Sequence, residues 1–194
     1  MGEAQDIRDQ MKDLIRIQVA GGFSPEEEIV EYAVGSYQDD LPVEDLIPLA
    51  RQLTAEAIER HLAGQTDWPE VTDWDRLNAA FEELSESGIV AKHNGVCCQT
   101  CAVHEAYQEM TRLIEQGRDI RGYTFYHEQD TESAVDNGAV CLAYGSTKRW
   151  KWSKLSIGKE VARVVKSHGL RVDWNGSLKR RITVFLDWKR RWVV

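Results

Sequence analysis

GIVAKHNGVCCQTCAVHEAYQEMTRLIEQGRDIRGYTFYHEQD, residues 88–130, is where the chain stops reading as helix alone. Ile89 to His93 is a short apolar run of strand character after Gly88. Cys97 to Gln116 returns to helical spacing. Arg121 to Glu128 then alternates, with Tyr123, Phe125 and His127 on one face, and the sequence from His127 to Asp130 opens a further short helix.

Downstream, Ala139 to Tyr144 reads as another strand and Ile157 to His168 as a helix. Leu170 to Trp174 and Arg181 to Trp188, separated by the turn-forming Asn175-Gly176, read as a hairpin whose loop exceeds the two-residue minimum. Upstream, Ile7, Met11, Leu14, Ile15 and Val19 recur at helical spacing before Gly21-Gly22. Ser24, Pro25 and Glu27 are placed as N-cap, first turn and capping box of a second helix. Because proline breaks helices, a third is expected to begin near Pro48 and run through Leu49, Leu53, Ala57 and Leu62 to Gly64. Thr72 with Asp75 starts a fourth, burying Leu77, Ala80, Phe81 and Leu84 before Gly88. The expected fold class is therefore α+β: an N-terminal helical segment, 1–70, then an α+β domain, 71–194, with a mixed, mainly antiparallel sheet packed with helices.

The composition excludes several classes. At 42% hydrophobic and 29% charged residues the chain is neither disordered nor fibrous. At 22.2 kDa it is large enough to bury about 70% of its unfolded surface. Charges interrupt every apolar run of MGEAQDIRDQMKDLIRIQVAGG, so neither a signal peptide nor a membrane span is expected there. The expected compartment is the cytoplasm, where thiols stay reduced and a disulfide framework is not anticipated. Residues 1–118 hold 24 acidic and 9 basic side chains, a net of −15. Residues 119–194 hold 8 and 15, a net of +7, which makes the total −8. Attraction between the two parts, or a solvated basic face, accounts for that asymmetry without any ligand.

Three of the four cysteines, Cys97, Cys98 and Cys101, fall within five residues, between His93 and His104. At 100° per residue, a helix starting at Cys97 gathers Val103, Ala106, Tyr107, Met110, Leu113 and Ile114 into one apolar stripe. Cys98, Cys101 and Glu105 fall opposite, with Cys97 and His104 at the margins. Three readings follow. In a metal site, Cys98 and Cys101 bind one zinc ion and His93, Cys97, His104 or His127 completes the tetrahedron, although a second cysteine pair is missing. In a redox or nucleophilic site, the helix N-terminus lowers a thiol pKa. In the third, the cysteines are small residues filling a tight contact. A thioredoxin fold is not expected, since all four prolines precede the cluster and none can supply that fold's later cis-proline.

His127 with Glu128 or Asp130 is a second candidate for acid–base or metal chemistry; Asp130 or Thr131 acting as a helix cap explains the same residues. Cys141, in AVCLAYG, reads as core. Lys148-Arg149-Trp150-Lys151-Trp152 and Trp188-Lys189-Arg190-Arg191-Trp192 interleave cations with rings, as single-strand binders do. A pI near 5.2 and the lack of an RNA-binding sheet motif speak against nucleic acid as a partner. No Gly-rich phosphate loop, GxSxG elbow or HExxH helix is present.

GIVAKHNGVCCQTC, GYTFYHEQDTESAV, GAVCLAYG and GLRVDWNGSLKRRITVFLDWKRR together resemble an uncharacterised, mostly bacterial family, DUF6891, from about residue 72 to the end. Its members often carry Gly where this chain has Ala102. The resemblance implies a shared fold and brings no activity with it. The leading expectation is a small Cys/His zinc site built from Cys98, Cys101, Cys97, His104 and His127, with His93, Glu128 and Asp130 as further candidates. The alternatives are a thiol-redox or other cysteine-dependent enzyme without a cofactor, and a non-enzymatic module that binds a protein partner.

Overall fold

A computed structural model describes residues 2–95, 99–148 and 150–192. Contacts divide the chain into two units, Met1–Glu70 with Lys189–Val194, and Val71–Trp188.

Three helices make the first unit: α1 (Gly2–Gly21), α2 (Glu26–Tyr37) and α3 (Val43–Gln65). Met11, Ile15 and Val19 of α1 meet Ile29, Val30 and Ala33 of α2 and Leu46, Ala50, Leu53 and Ala57 of α3 in one core. The α1 and α3 sets recur at three- or four-residue intervals and in α2 the adjacent Ile29 and Val30 lie four and three before Ala33, so each helix buries a single stripe. The helix α2 begins with Pro25, rather than the expected Ser24, at its N-cap, and no side-chain cap bond forms there.

The expectation for α3 fails by a turn and a half. The helix starts at Val43 and runs through Pro48, which removes one backbone bond at a cost of about 3 kcal/mol. Starting early buries Leu46 completely, which offsets about 1.5–3 kcal/mol of that cost. The end of the chain, from Lys189 onward, groups with these helices by its contacts. Trp192 packs on their core, the Arg190 carbonyl lies 3.0 Å from His61 Nε2, and Arg191 donates to the Pro69 carbonyl at 2.6 Å.

The second unit is α4 (Asp73–Glu86), β1 (Ile89–Gly95), α5 (Gln99–Glu115), β2 (Gly122–His127), α6 (Glu128–Asn137), β3 (Ala139–Ser146), α7 (Lys151–Ser167), β4 (Arg171–Asp173) and β5 (Ile182–Phe185). The strands lie in the order β1-β2-β3-β5-β4. The β1–β2 pair is parallel and the other pairs are antiparallel, so the sheet is mixed. The helix α4 carries both bonds of the capping box read from Thr72 and Asp75, and buries Leu77, Ala80, Phe81 and Leu84.

Strand alternation decides what covers each face. Tyr123 and Phe125 point to the side of α5, where they join Ala102, Ala106, Met110 and Leu113. Gly122 and Tyr126 point to the other side, toward α7 and α4. A Cβ on Gly122 would collide with the Gly145 carbonyl and Ile157, so this glycine lets α7 lie flush on the sheet. The α5 stripe is rotated from the one expected: Ala102 is buried, while Tyr107 and Ile114 are about half exposed. Ala102 and Ala106 are small enough to bring the helix close to β1 and β2, which turns the bulkier residues outward.

Cys141 and Thr183, with Sγ and Oγ1 3.8 Å apart, are half-buried on the α5 side, against the expectation that Cys141 is core. Their neighbours Val140, Leu142, Ile182 and Val184 are buried on the opposite side. The α5 side of the sheet is thus covered over β1 and β2 and more open over β3 and β5.

Candidate functional site

Because β1 and β2 are parallel, their carboxyl ends lie at one end of the sheet, and α5 and α6 both start there. In sheets with parallel strands this is the usual position of a ligand site. The register brings Gly95 opposite His127, after a bulge that inserts one extra residue between Lys92 and Gly95. Asn94, in the bulge, takes a left-handed conformation (φ 46°), and its Oδ1 accepts a 2.6 Å hydrogen bond from the Thr131 hydroxyl of α6. Asparagine tolerates that conformation better than most residues.

Strand alternation sends consecutive side chains of β1 to different surroundings. Lys92 pairs with Glu105 of α5 at 2.8 Å. His93 instead stacks on Phe81 of α4, with ring centroids 4.4 Å apart, and its Nδ1 lies 2.9 Å from the Tyr126 hydroxyl. Trp74 closes the same aromatic cluster at 5.5 Å. His93 therefore belongs to the α4 side of the sheet.

His127 is the last residue of β2 and the N-cap of α6. Asp130, in the first turn, accepts its backbone N–H at 3.2 Å, which ties the strand end to the helix start. Both side chains are more than nine-tenths buried. Burying a carboxylate requires a partner, and Arg181, just ahead of β5, donates Nη1 to Asp130 Oδ2 at 2.8 Å. His127 Nε2 lies 3.2 Å from the same oxygen and 3.3 Å from Arg181 Nη1.

A proton on Nε2 is donated to Asp130; with the proton on Nδ1, the bare Nε2 accepts from Arg181. Burial pulls the His127 pKa below its ordinary value, Asp130 opposes that pull and the Arg181 cation adds to it, so the ring is neutral at pH 7. A neutral imidazole beside a guanidinium can take up a proton transiently, and Asp130 compensates part of the charge.

Of the sequence candidates, the fold brings together His127 and Asp130. Glu128 is exposed, and so are Cys101 and His104 on α5, where His104 Nε2 lies 3.0 Å from Gln108 on its own helix. Cys97 and Cys98 lie outside the described residues, and the described part of α5 begins at Gln99. Among the described residues no three His, Cys, Asp or Glu side chains group closely enough to hold a metal ion. Asp130 is the third residue of α6 and not its cap, the position expected for it or for Thr131.

Arg181 and Asn94 escaped the sequence reading as site residues, and Thr131 entered it only as a helix cap. The partners Arg181 and Asp130 are 51 residues apart, and no local pattern reports a pairing at that distance. The presence of three consecutive basic residues, Lys179 to Arg181, before an apolar strand is the one local sign of it.

No helix among the described residues is long and apolar enough to cross a membrane. No curated protein and no solved structure matches the chain. A family model matches residues 4–192, which takes in the helical first part as well as the stretch from residue 72 onward where the resemblance was read. The chain belongs to the family described as domain of unknown function DUF6891.

Proposed function

We propose that the CCQTC segment and His127 form a cysteine-dependent reactive site, with one thiol as nucleophile and the neutral imidazole as proton acceptor. One observation carries this reading: the parallel register sets Gly95, two residues before Cys97, opposite a buried His127. Two features support it. Gln99, on the other side of Cys97 and Cys98, begins α5, so the segment leads into a helix N-terminus, whose N–H groups favour a thiolate. Asp130 lies 3.2 Å from His127 Nε2 and offsets part of the charge that an accepted proton brings to the ring.

Carbamidomethylation by iodoacetamide, followed cysteine by cysteine by mass spectrometry, tests the reading. One of Cys97, Cys98 and Cys101 is expected to react with an apparent pKa below the free-thiol value of about 8.5. Replacing His127 by Asn should slow that cysteine and leave Cys141 unchanged. Rates no faster than those of an unstructured peptide thiol at all three positions would end the thiol reading. The zinc expectation draws on the same sulfurs and is separated in the same sample. One zinc ion per chain, with labelling that begins only after a chelator is added, favours metal. A protein-interaction module predicts neither behaviour.

A further inference from the structure

A second feature adjoins the strand ends without depending on any thiol. Beside the start of α5, where β3 runs on past its pairing with β5, lies a cleft of about 350 Å³. That is within the range of small-molecule sites, about 300–1,000 Å³. Gln99 and Val103 of α5 form one wall and the β4–β5 connection, from Leu178 to Arg181, the other; Ala143 and Tyr144 of β3 and Lys154 of α7 also line it. The space exists because the β3–β5 pairing ends at Leu142 with Ile182, so β3 continues beyond the start of its partner.

Four cationic side chains line this cleft, Lys154, Lys179, Arg180 and Arg181, and no carboxylate among the described residues does. Asp130 neutralises Arg181 from behind, through Nη1, which leaves Nε and Nη2 without a hydrogen bond among the described residues. Lys154, Lys179 and Arg180 have no ion pair among the described residues, and Lys154 Nζ lies 5.7 Å from the centre of the Tyr144 ring. Like charges gathered around one concavity repel, and low-dielectric walls strengthen the repulsion. The start of α7 adds to the cost: its first turn contains no acidic residue, and Lys151 and Lys154 sit at the positive end of the helix dipole. A local gathering of like charge that works against stability points to function.

We propose that this cleft binds a small molecule through a phosphate group. A monocarboxylate would bring one negative charge to four cations, whereas a phosphate monoester brings about −1.5 to −2 and three acceptor oxygens. The planar forks of Arg180 and Arg181 match those oxygens, and Lys154 and Lys179 supply mobile point charges. The loop that carries the two arginines is fixed from within. The Tyr144 hydroxyl donates at 3.2 Å to the Ser177 carbonyl, and Trp174 Nε1–H lies 3.3 Å from the Ser177 and Arg180 carbonyls. The backbone that carries Lys179, Arg180 and Arg181 is thus set before a ligand arrives, which lowers the ordering cost of binding.

Titration calorimetry at low ionic strength, with pyrophosphate as probe and citrate as a carboxylate comparator, tests the site. Pyrophosphate is expected to bind one per chain, more tightly than citrate. The double variant K154A/R180A should weaken it roughly tenfold or more, and Lys179→Glu should act in the same direction. These positions avoid Arg181, whose loss would leave Asp130 buried without its cation. Repeating the titration with C97S/C98S/C101S separates this site from the thiol reading, since binding should persist there. Undetectable binding at millimolar pyrophosphate, equal affinity for citrate, or an affinity unchanged in the double variant would each overturn the assignment. So would a single-stranded oligonucleotide whose binding is lost in K154A/R180A yet is not displaced by pyrophosphate.

Discussion

Asp130 Oδ2 has three donors or ring atoms around it: the His127 backbone N–H, the Arg181 guanidinium and His127 Nε2. The imidazole is neutral because burial and Arg181 together outweigh Asp130, and the sign of the resulting pH dependence follows from this. The unfolded chain binds a proton at His127 with the ordinary pKa near 6.5, while the folded chain binds it only at lower pH. Over that interval the unfolded state holds more protons, so stability is full above pH 6.5 and falls as pH drops toward the lowered folded value. His61 shifts in the same direction, through burial, and adds to the effect. Urea midpoints measured from pH 8 to pH 5 should fall, and His127→Asn should flatten the slope without removing it. A variant slope equal to that of the parent would mean that His127 ionises alike in both states. At this scale the sequence revealed half of the site. His127 and Asp130 are three positions apart and visible as a pair, whereas Arg181 reaches them only through the order in which the strands pair.

The Thr72–Asp75 box shows how far local chemistry carries at the level of elements. The Thr72 hydroxyl accepts from the Asp75 N–H at 3.2 Å and the Asp75 carboxylate accepts from the Thr72 N–H at 2.8 Å. Thr72→Ala should lower unfolding stability by about 1–2 kcal/mol with an unchanged denaturant slope, and Thr72→Ser should retain most of it. Equal stability of parent and alanine variant would show that α4 is held by packing alone. This helix was legible because its start is settled within four residues. The helix α3 was not, since Pro48 carries a strong local signal that loses to the burial of Leu46. On α5 the contacts of the small residues Ala102 and Ala106 outweigh the bulk of Tyr107 and Ile114, and a helical wheel gives alanine little weight. The start of α7 was missed for a related reason. Trp150 and Trp152 are 74% and 80% exposed, so its first turn contributes nothing to an apolar stripe. Across these elements, type was legible from periodicity, and the errors lie where a buried contact outweighed the local signal.

At the scale of the whole chain, the uneven charge is partly accounted for by the cleft, which gathers four of the fifteen basic residues found between 119 and 194. The other large-scale feature is the route of the C-terminal segment. Its residues group with the helices of the first unit, through contacts that no periodicity announces. Trp192 packs on the helical core, the Arg190 guanidinium lies 4.3 Å from the centre of the Phe23 ring, and Arg191 reaches the Pro69 carbonyl. Trp192 is only partly buried, so removing it costs less than emptying a core site, about 1–3 kcal/mol. That loss should be local. In Trp192→Ala, amide hydrogens of α1, α2 and α3 should exchange faster, by roughly 5- to 160-fold for such an energy, while the central amides of β2 and β3 keep their protection. Faster exchange in both units to the same degree would mean that the chain opens as one cooperative body and that the tail stabilises all of it. Unchanged exchange in α1–α3 would mean that the three helices hold together on their own core, with the tail contributing nothing measurable.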